Sequence, residues 1–140
     1  MSERGTKPAA QARRIHPPAV NVETERFWKA AEAGKLLYGY CVACNEPHYY
    51  PRSFCPFCFS ERVEWREASG SATVYSFSTM FHTQSGPYTI AYVTLAEGPR
   101  VLTNLVDCDY KQIRIDAPAK LVWKPSEGGA PVPFFTLVIS

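Results

Sequence analysis

Residues 41–58 read Cys-Val-Ala-Cys-Asn-Glu-Pro-His-Tyr-Tyr-Pro-Arg-Ser-Phe-Cys-Pro-Phe-Cys, so Cys41 and Cys44 form one Cys-x-x-Cys pair and Cys55 and Cys58 a second. Ten residues separate the pairs. This is the usual sequence form of a four-thiolate zinc ribbon, because each tight knuckle aims two sulfurs at one tetrahedral ion. Asn45 after the first pair tolerates a left-handed conformation, and Pro56 stiffens the bend of the second. Cys41, Cys44, Cys55 and Cys58 are therefore the expected ligands. Four protein ligands close a tetrahedral site and leave no position for a substrate or an activated water, so the expected zinc is structural. Its binding energy would serve as folding energy for a segment too short to bury a core of its own.

Two other readings of the same cysteines stand beside this one. A pair of disulfides, or thiols without metal, is the first; against the disulfides, Cys108 is a fifth, unpaired thiol and no signal-peptide pattern precedes the ribbon, which fits a reducing, cytoplasmic setting. A rubredoxin-like iron site is the second, since tetrahedral thiolates suit either metal. His48 lies between the pairs, but four thiolates already fill the site. It is read as a surface residue or a support to the ligands.

At 140 residues, with 46% hydrophobic and 14% aromatic content, the chain has material for one compact domain or two small modules. No apolar stretch approaches the roughly 20 residues that span a bilayer, so no membrane segment is expected. The formal charge of +2 hides an asymmetry. Residues 1–20 hold Arg4, Lys7, Arg13 and Arg14 against Glu3, a balance of +3, which leaves −1 for the other 120 residues. Zinc with four thiolates makes the folded part more negative still. That is a poor electrostatic footprint for nucleic acid.

Three segments follow from the texture of the chain. Residues 1–20, with Gly5, Pro8, Pro17, Pro18 and the basic cluster, read as a flexible basic tail. Residues 21–68 read as a helix and the ribbon. The helix is expected over 21–33, with Asn21 or Thr24 as its cap, Glu23 and Glu25 at its positive end and Gly34 where it stops. Adjacent Phe27 and Trp28 cannot point the same way; either one faces a partner or both belong to a broad buried stripe. Strands are expected at 36–40, 49–54 and 62–67. Residues 69–140 alternate with period two through 72–81, 89–95, 100–106, 119–124 and 134–139. Tyr75, Phe77, Thr79 and Phe81 would share one face. Five strands in about 70 residues suggest a small closed barrel of OB type.

With these segments placed, a resemblance becomes visible over residues 21–139. The chain resembles the zinc-ribbon plus OB-fold family known as domain of unknown function 35. The residues that carry it are Phe27-Trp28, Gly34 with Leu36, both cysteine pairs, Tyr50-Pro51-Arg52, Trp65, the segment 70–77, Pro87-Tyr88, Glu97-Gly98-Pro99-Arg100 and Pro133-Phe134-Phe135. Asn45 stands where the family usually has glycine, a change the left-handed turn accepts. The resemblance implies a mainly β fold: an N-terminal helix, a rubredoxin-like zinc ribbon, then a five-stranded OB-fold barrel. It also implies a non-catalytic accessory subunit that binds a thiolase-like condensing enzyme or a hot-dog-fold hydratase, with acyl-CoA as a further ligand, in lipid, steroid or polyketide-type acyl metabolism.

Two competing functions are open to the same residues. Single-stranded nucleic-acid binding would use stacking rings such as Tyr75, Phe77, Phe81, Tyr88 and Tyr92, but the basic groove it needs is missing outside the tail. An independent enzyme would need a constellation such as Cys108, His82 and Asp107 or Asp109, and nothing in their spacing supports one. For acyl-CoA, Arg52, Arg66, Arg100 or the tail would meet phosphates, and an apolar slot between helix and barrel would take the acyl group.

Overall fold

The computed structural model describes residues 14–138. Of the segment read as a basic tail, residues 1–13 lie outside the described residues, while 14–17 run along the loop that follows the penultimate strand. Arg14 Nε donates to Glu127 at 2.9 Å, and the Glu127 N–H donates to the Ile15 carbonyl at 2.9 Å.

The helix α1 spans Glu25–Glu32 with Thr24, one of the two expected caps, in the N-cap position, although the Thr24 side chain makes no capping bond to the helix. Asn21 and Thr24 satisfy each other instead. The Thr24 N–H donates to Asn21 Oδ1 and the Asn21 N–H donates to Thr24 Oγ1, both at 3.0 Å, so the polar side chains close a turn before the helix begins. At the other end Gly34 adopts φ +79, and its N–H donates to the Ala31 carbonyl. Phe27 and Trp28 are both buried, their rings edge-to-face at 4.8 Å. Phe27 also meets Tyr50 at 5.2 Å and Tyr49 at 5.8 Å, while Trp28 Nε1 donates to the Tyr50 hydroxyl at 2.9 Å. The broad buried stripe is thus the reading that holds.

The ribbon is a three-stranded antiparallel sheet in the order β2-β1-β3, built from β1 (Leu37–Cys41), β2 (Glu46–His48) and β3 (Val63–Glu67). The strand expected at 49–54 is displaced to β2. A hairpin forms directly off the first knuckle, pairing Cys41 with Glu46 and Gly39 with His48, and Pro51 has no N–H to extend it. His48 is a correction to the surface reading: it is 4% exposed and packs over Gly39. A Cβ on Gly39 would lie 2.3 Å from His48 Nε2, so only glycine admits the imidazole there.

A closed barrel follows, with strand order β4-β5-β6-β8-β7: β4 (Ser71–Met80), β5 (Tyr88–Leu95), β6 (Arg100–Leu105), β7 (Pro118–Lys124) and β8 (Val132–Leu137). β8 closes it against β6 in parallel through Leu105 and Phe135. Val74, Val93, Leu95, Leu105 and Phe135 fill the interior. Ile113, after a 3-10 turn at Tyr110–Gln112, is buried with them, whereas Ile115 is exposed. One continuous apolar cluster runs from Phe27 and Leu36 through Ala68 into this core. At the junction the Ser69 N–H donates to Glu97 Oε2 at 2.8 Å, and Pro47 abuts Gly98.

The face expected of β4 changes partway along. Its register shifts between Val74 and Ser76, after which Phe77 pairs with buried Ala91 and Thr79 with buried Thr89. The Thr79 and Thr89 hydroxyls lie 2.7 Å apart. Tyr75, at the bulge, instead lies under the Arg100 guanidinium at 3.9 Å. An inserted residue moves every later side chain to the opposite face, so Tyr75 does not share a face with Phe77 and Thr79.

Candidate metal centre

Each cysteine pair sits on a knuckle with the same backbone design. In the first, the Asn45 N–H donates to the Cys41 carbonyl at 2.8 Å with Asn45 at φ +61; in the second, the Phe59 N–H donates to the Cys55 carbonyl at 2.9 Å with Phe59 at φ +65. Asparagine suits that conformation, while phenylalanine enters it only against a steric penalty. Phe59 is the residue the sequence reading missed. The signal that locates it is positional, since it follows Cys58 as Asn45 follows Cys44. The turn leaves Phe59 72% exposed beside Phe54, with Phe57 also on the surface.

The four sulfurs lie within 4.8 Å of one another. Cys41 Sγ is 3.6 Å from Cys58 Sγ, and Cys44 Sγ is 3.7 Å from Cys55 Sγ. Tetrahedral zinc with bonds of about 2.3 Å requires sulfurs about 3.8 Å apart, so the donor set fits the ion. The N–H groups of Phe57 and Cys58 point at Cys55 Sγ at 3.3 and 3.4 Å, an arrangement that favours thiolate. The Cys44 and Ala43 N–H groups help pull the Cys41 thiol down to about 7. Desolvation and the neighbouring sulfurs push Cys44 up to about 12. Four thiolates this close repel one another, and a shared dication would let all four ionise. His48 contributes no bond to this set. Among the described residues neither of its ring nitrogens has a hydrogen-bond partner, and burial and the positive charge of Arg52 hold its pKa below the usual imidazole range.

The other candidate residues are dispersed. Arg66 stacks on the Tyr40 ring at 3.6 Å and pairs with Glu64, and Arg100 stacks on Tyr75. Arg52 lines a shallow groove of about 430 Å³ with Val22, Arg26 and Trp65. At the barrel mouth a cavity of about 570 Å³ is lined by Tyr88, Leu105, Tyr110 and Phe134 together with Arg14, Asn104 and Lys124. Cys108 lies beside Thr136 and the Leu137 backbone, and burial pushes its thiol up, away from the reactive thiolate. Among the described residues, no helix is long and apolar enough to cross a membrane.

Comparison with known proteins places these features in context. Residues 28–64 match the family model described as the ChsH2 rubredoxin-like zinc ribbon domain, and residues 65–124 match the ChsH2 C-terminal OB-fold domain. A "probable enoyl-CoA hydratase alpha subunit" of Thermomonospora curvata is 33% identical over 122 residues, which cover 84% of this chain and 38% of that protein. The chain thus spans well under half the length of that relative. A "DUF35 domain-containing scaffold protein" of Methanothermobacter thermautotrophicus is 31% identical, the match covering 73% of this chain and 82% of the relative. The "benzoylsuccinyl-CoA thiolase subunit BbsA" of Thauera aromatica is 36% identical over 49% of this chain and 51% of its own. Among solved structures, one chain of the "Ltp2-ChsH2(DUF35) aldolase" superposes with a TM-score of 0.77 at 32% identity, covering 87% of this chain and 99% of that one.

Proposed function

This chain belongs to the DUF35 family, whose members join a ChsH2-type zinc ribbon to an OB-fold domain, and from that premise we propose that it is a non-catalytic accessory subunit of an acyl-CoA-processing enzyme. The observation that carries the reading is the likeness to one chain of the "Ltp2-ChsH2(DUF35) aldolase", which extends over 99% of that chain. Relatives named as a hydratase subunit, a thiolase subunit and a scaffold protein support the same role. The partner we expect is a thiolase-like condensing enzyme or a hot-dog-fold hydratase.

In this reading Cys41, Cys44, Cys55 and Cys58 hold a structural zinc. The ion supplies folding energy, and the ribbon presents Phe54, Phe57 and Phe59 from a fixed knuckle. Exposed aromatic side chains on a rigid element suit the centre of a protein interface. An acyl-CoA ligand is part of the proposal, and the barrel-mouth cavity has the size and mixed lining of a small-molecule site. The space between helix and barrel, where an acyl slot was expected, holds part of the continuous apolar core around Phe27 and Leu36.

Gentle fractionation of tag-free protein from the source cell tests the proposal. A condensing enzyme or hydratase should co-elute at fixed ratio. Elution alone under native conditions, with no acyl-CoA retained, would sink the obligate-partner form.

A further inference from the structure

Strand β4 is long, and its far half has a neighbour on one side only. It pairs with β5 through to Met80 opposite Tyr88, but its ladder with β7 covers Ser71 to Thr73 alone. The last support on that side is at Val74, which donates to the Ala117 carbonyl and accepts from the Asp116 N–H. Past it, residues 75–80 present an open backbone edge among the described residues.

Other open edges among the described residues carry charge or proline. β2 carries Glu46 and Pro47, and β3 carries Glu64, Arg66 and Glu67. β6, tied to β8 through Leu105 alone, begins with Arg100. Charge and proline are the usual means of keeping an edge from pairing with another chain. Residues 75–81 read Tyr-Ser-Phe-Ser-Thr-Met-Phe, with no charge, proline or glycine. Tyr75, Phe77, Met80 and Phe81 are all exposed along this stretch. The bulge at its base twists the strand once, and the register from Ser76 to Met80 is then regular.

We propose that this edge is a self-association surface, at which a second copy of the chain adds its own β4 antiparallel across a two-fold axis near Phe77 and Ser78. The sequence itself argues for a second copy as the occupant. A two-fold axis sets the edge against itself, and a segment free of charge brings no like charges together. Main-chain hydrogen bonds supply the attraction, while the aromatic and β-branched side chains pair across the strands. The surface does not depend on the accessory-subunit reading, and the purified chain alone is enough to test it.

Sedimentation equilibrium of the zinc-loaded full chain, over a wide concentration range, should reveal a species of twice 15.7 kDa. Ser78→Lys sets two ammonium groups close to the two-fold axis, one from each copy, and should weaken the dimer by roughly tenfold or more. Glu64→Lys, on the ribbon edge, should leave it unchanged. Unaltered zinc content and far-ultraviolet spectra would establish that both variants fold. A wild-type chain that stays monomeric throughout, or a dimer indifferent to Ser78→Lys, overturns the proposal. So does a monomeric chain whose capture of a partner enzyme is lost in Ser78→Lys, since the edge would then belong to a strand of that enzyme.

Discussion

Cys55→Ser is expected to release the metal and unfold the ribbon while leaving the barrel strands paired. Cys55 is fully buried, lies 3.7 Å from Cys44 Sγ, and accepts from two knuckle N–H groups, so its loss removes a ligand together with the turn that aims Cys58. Serine supplies a hydroxyl that does not ionise near neutral pH and cannot match a soft thiolate donor. Structural zinc contributes about 10–16 kcal/mol in zinc-finger peptides, more than a three-stranded sheet of this size gains by burial. Measured zinc should fall from one ion per chain to near none. The β1–β3 amides should lose protection from exchange, and those of β4–β8 should keep it. Retention of tightly bound zinc by Cys55→Ser would mean that the four cysteines are not the ligand set.

Phe27→Ala is the second change of large expected effect. The ring is 1% exposed and touches Trp28, Tyr49 and Tyr50, so truncation opens a cavity at the centre of the cluster joining α1 to the ribbon. Phe→Ala in a packed core costs about 3–5 kcal/mol, a large part of the roughly 5–15 kcal/mol that stabilises a domain. A melting temperature lower by about 10–20 °C follows for a chain of this length. Phe27→Leu, which refills most of the space, should lose much less. Thermal unfolding followed by near-ultraviolet circular dichroism reads both variants. Equal melting of wild type and Phe27→Ala would show that the helix does not depend on this packing.

Much of the architecture was legible because it rests on local chemistry. Two Cys-x-x-Cys pairs at ribbon spacing point to the four-cysteine cluster that the fold assembles, and period-two alternation with turn residues marks the five barrel strands. What escaped depends on partners distant in sequence or on a single inserted residue. The bulge after Val74 leaves no mark in an alternating run, so the faces of Tyr75 and Phe77 were read as one. His48 looks like a loop histidine until Gly39, nine residues earlier, is seen to make room for it. Thr24 takes the cap position the sequence offers, and only its mutual hydrogen bonds with Asn21 reveal where its side chain is engaged. Phe59 has no turn-forming character of its own; the symmetry of the two knuckles assigns its backbone.

The accessory-subunit account is tested most directly by reconstitution with the enzyme that co-elutes. That enzyme, purified alone, should be inactive or unstable toward its acyl-CoA substrate, and added chain should restore turnover up to a fixed stoichiometric ratio. The chain alone should give no turnover. Full activity of the enzyme without this chain, or turnover by this chain by itself, would contradict the account.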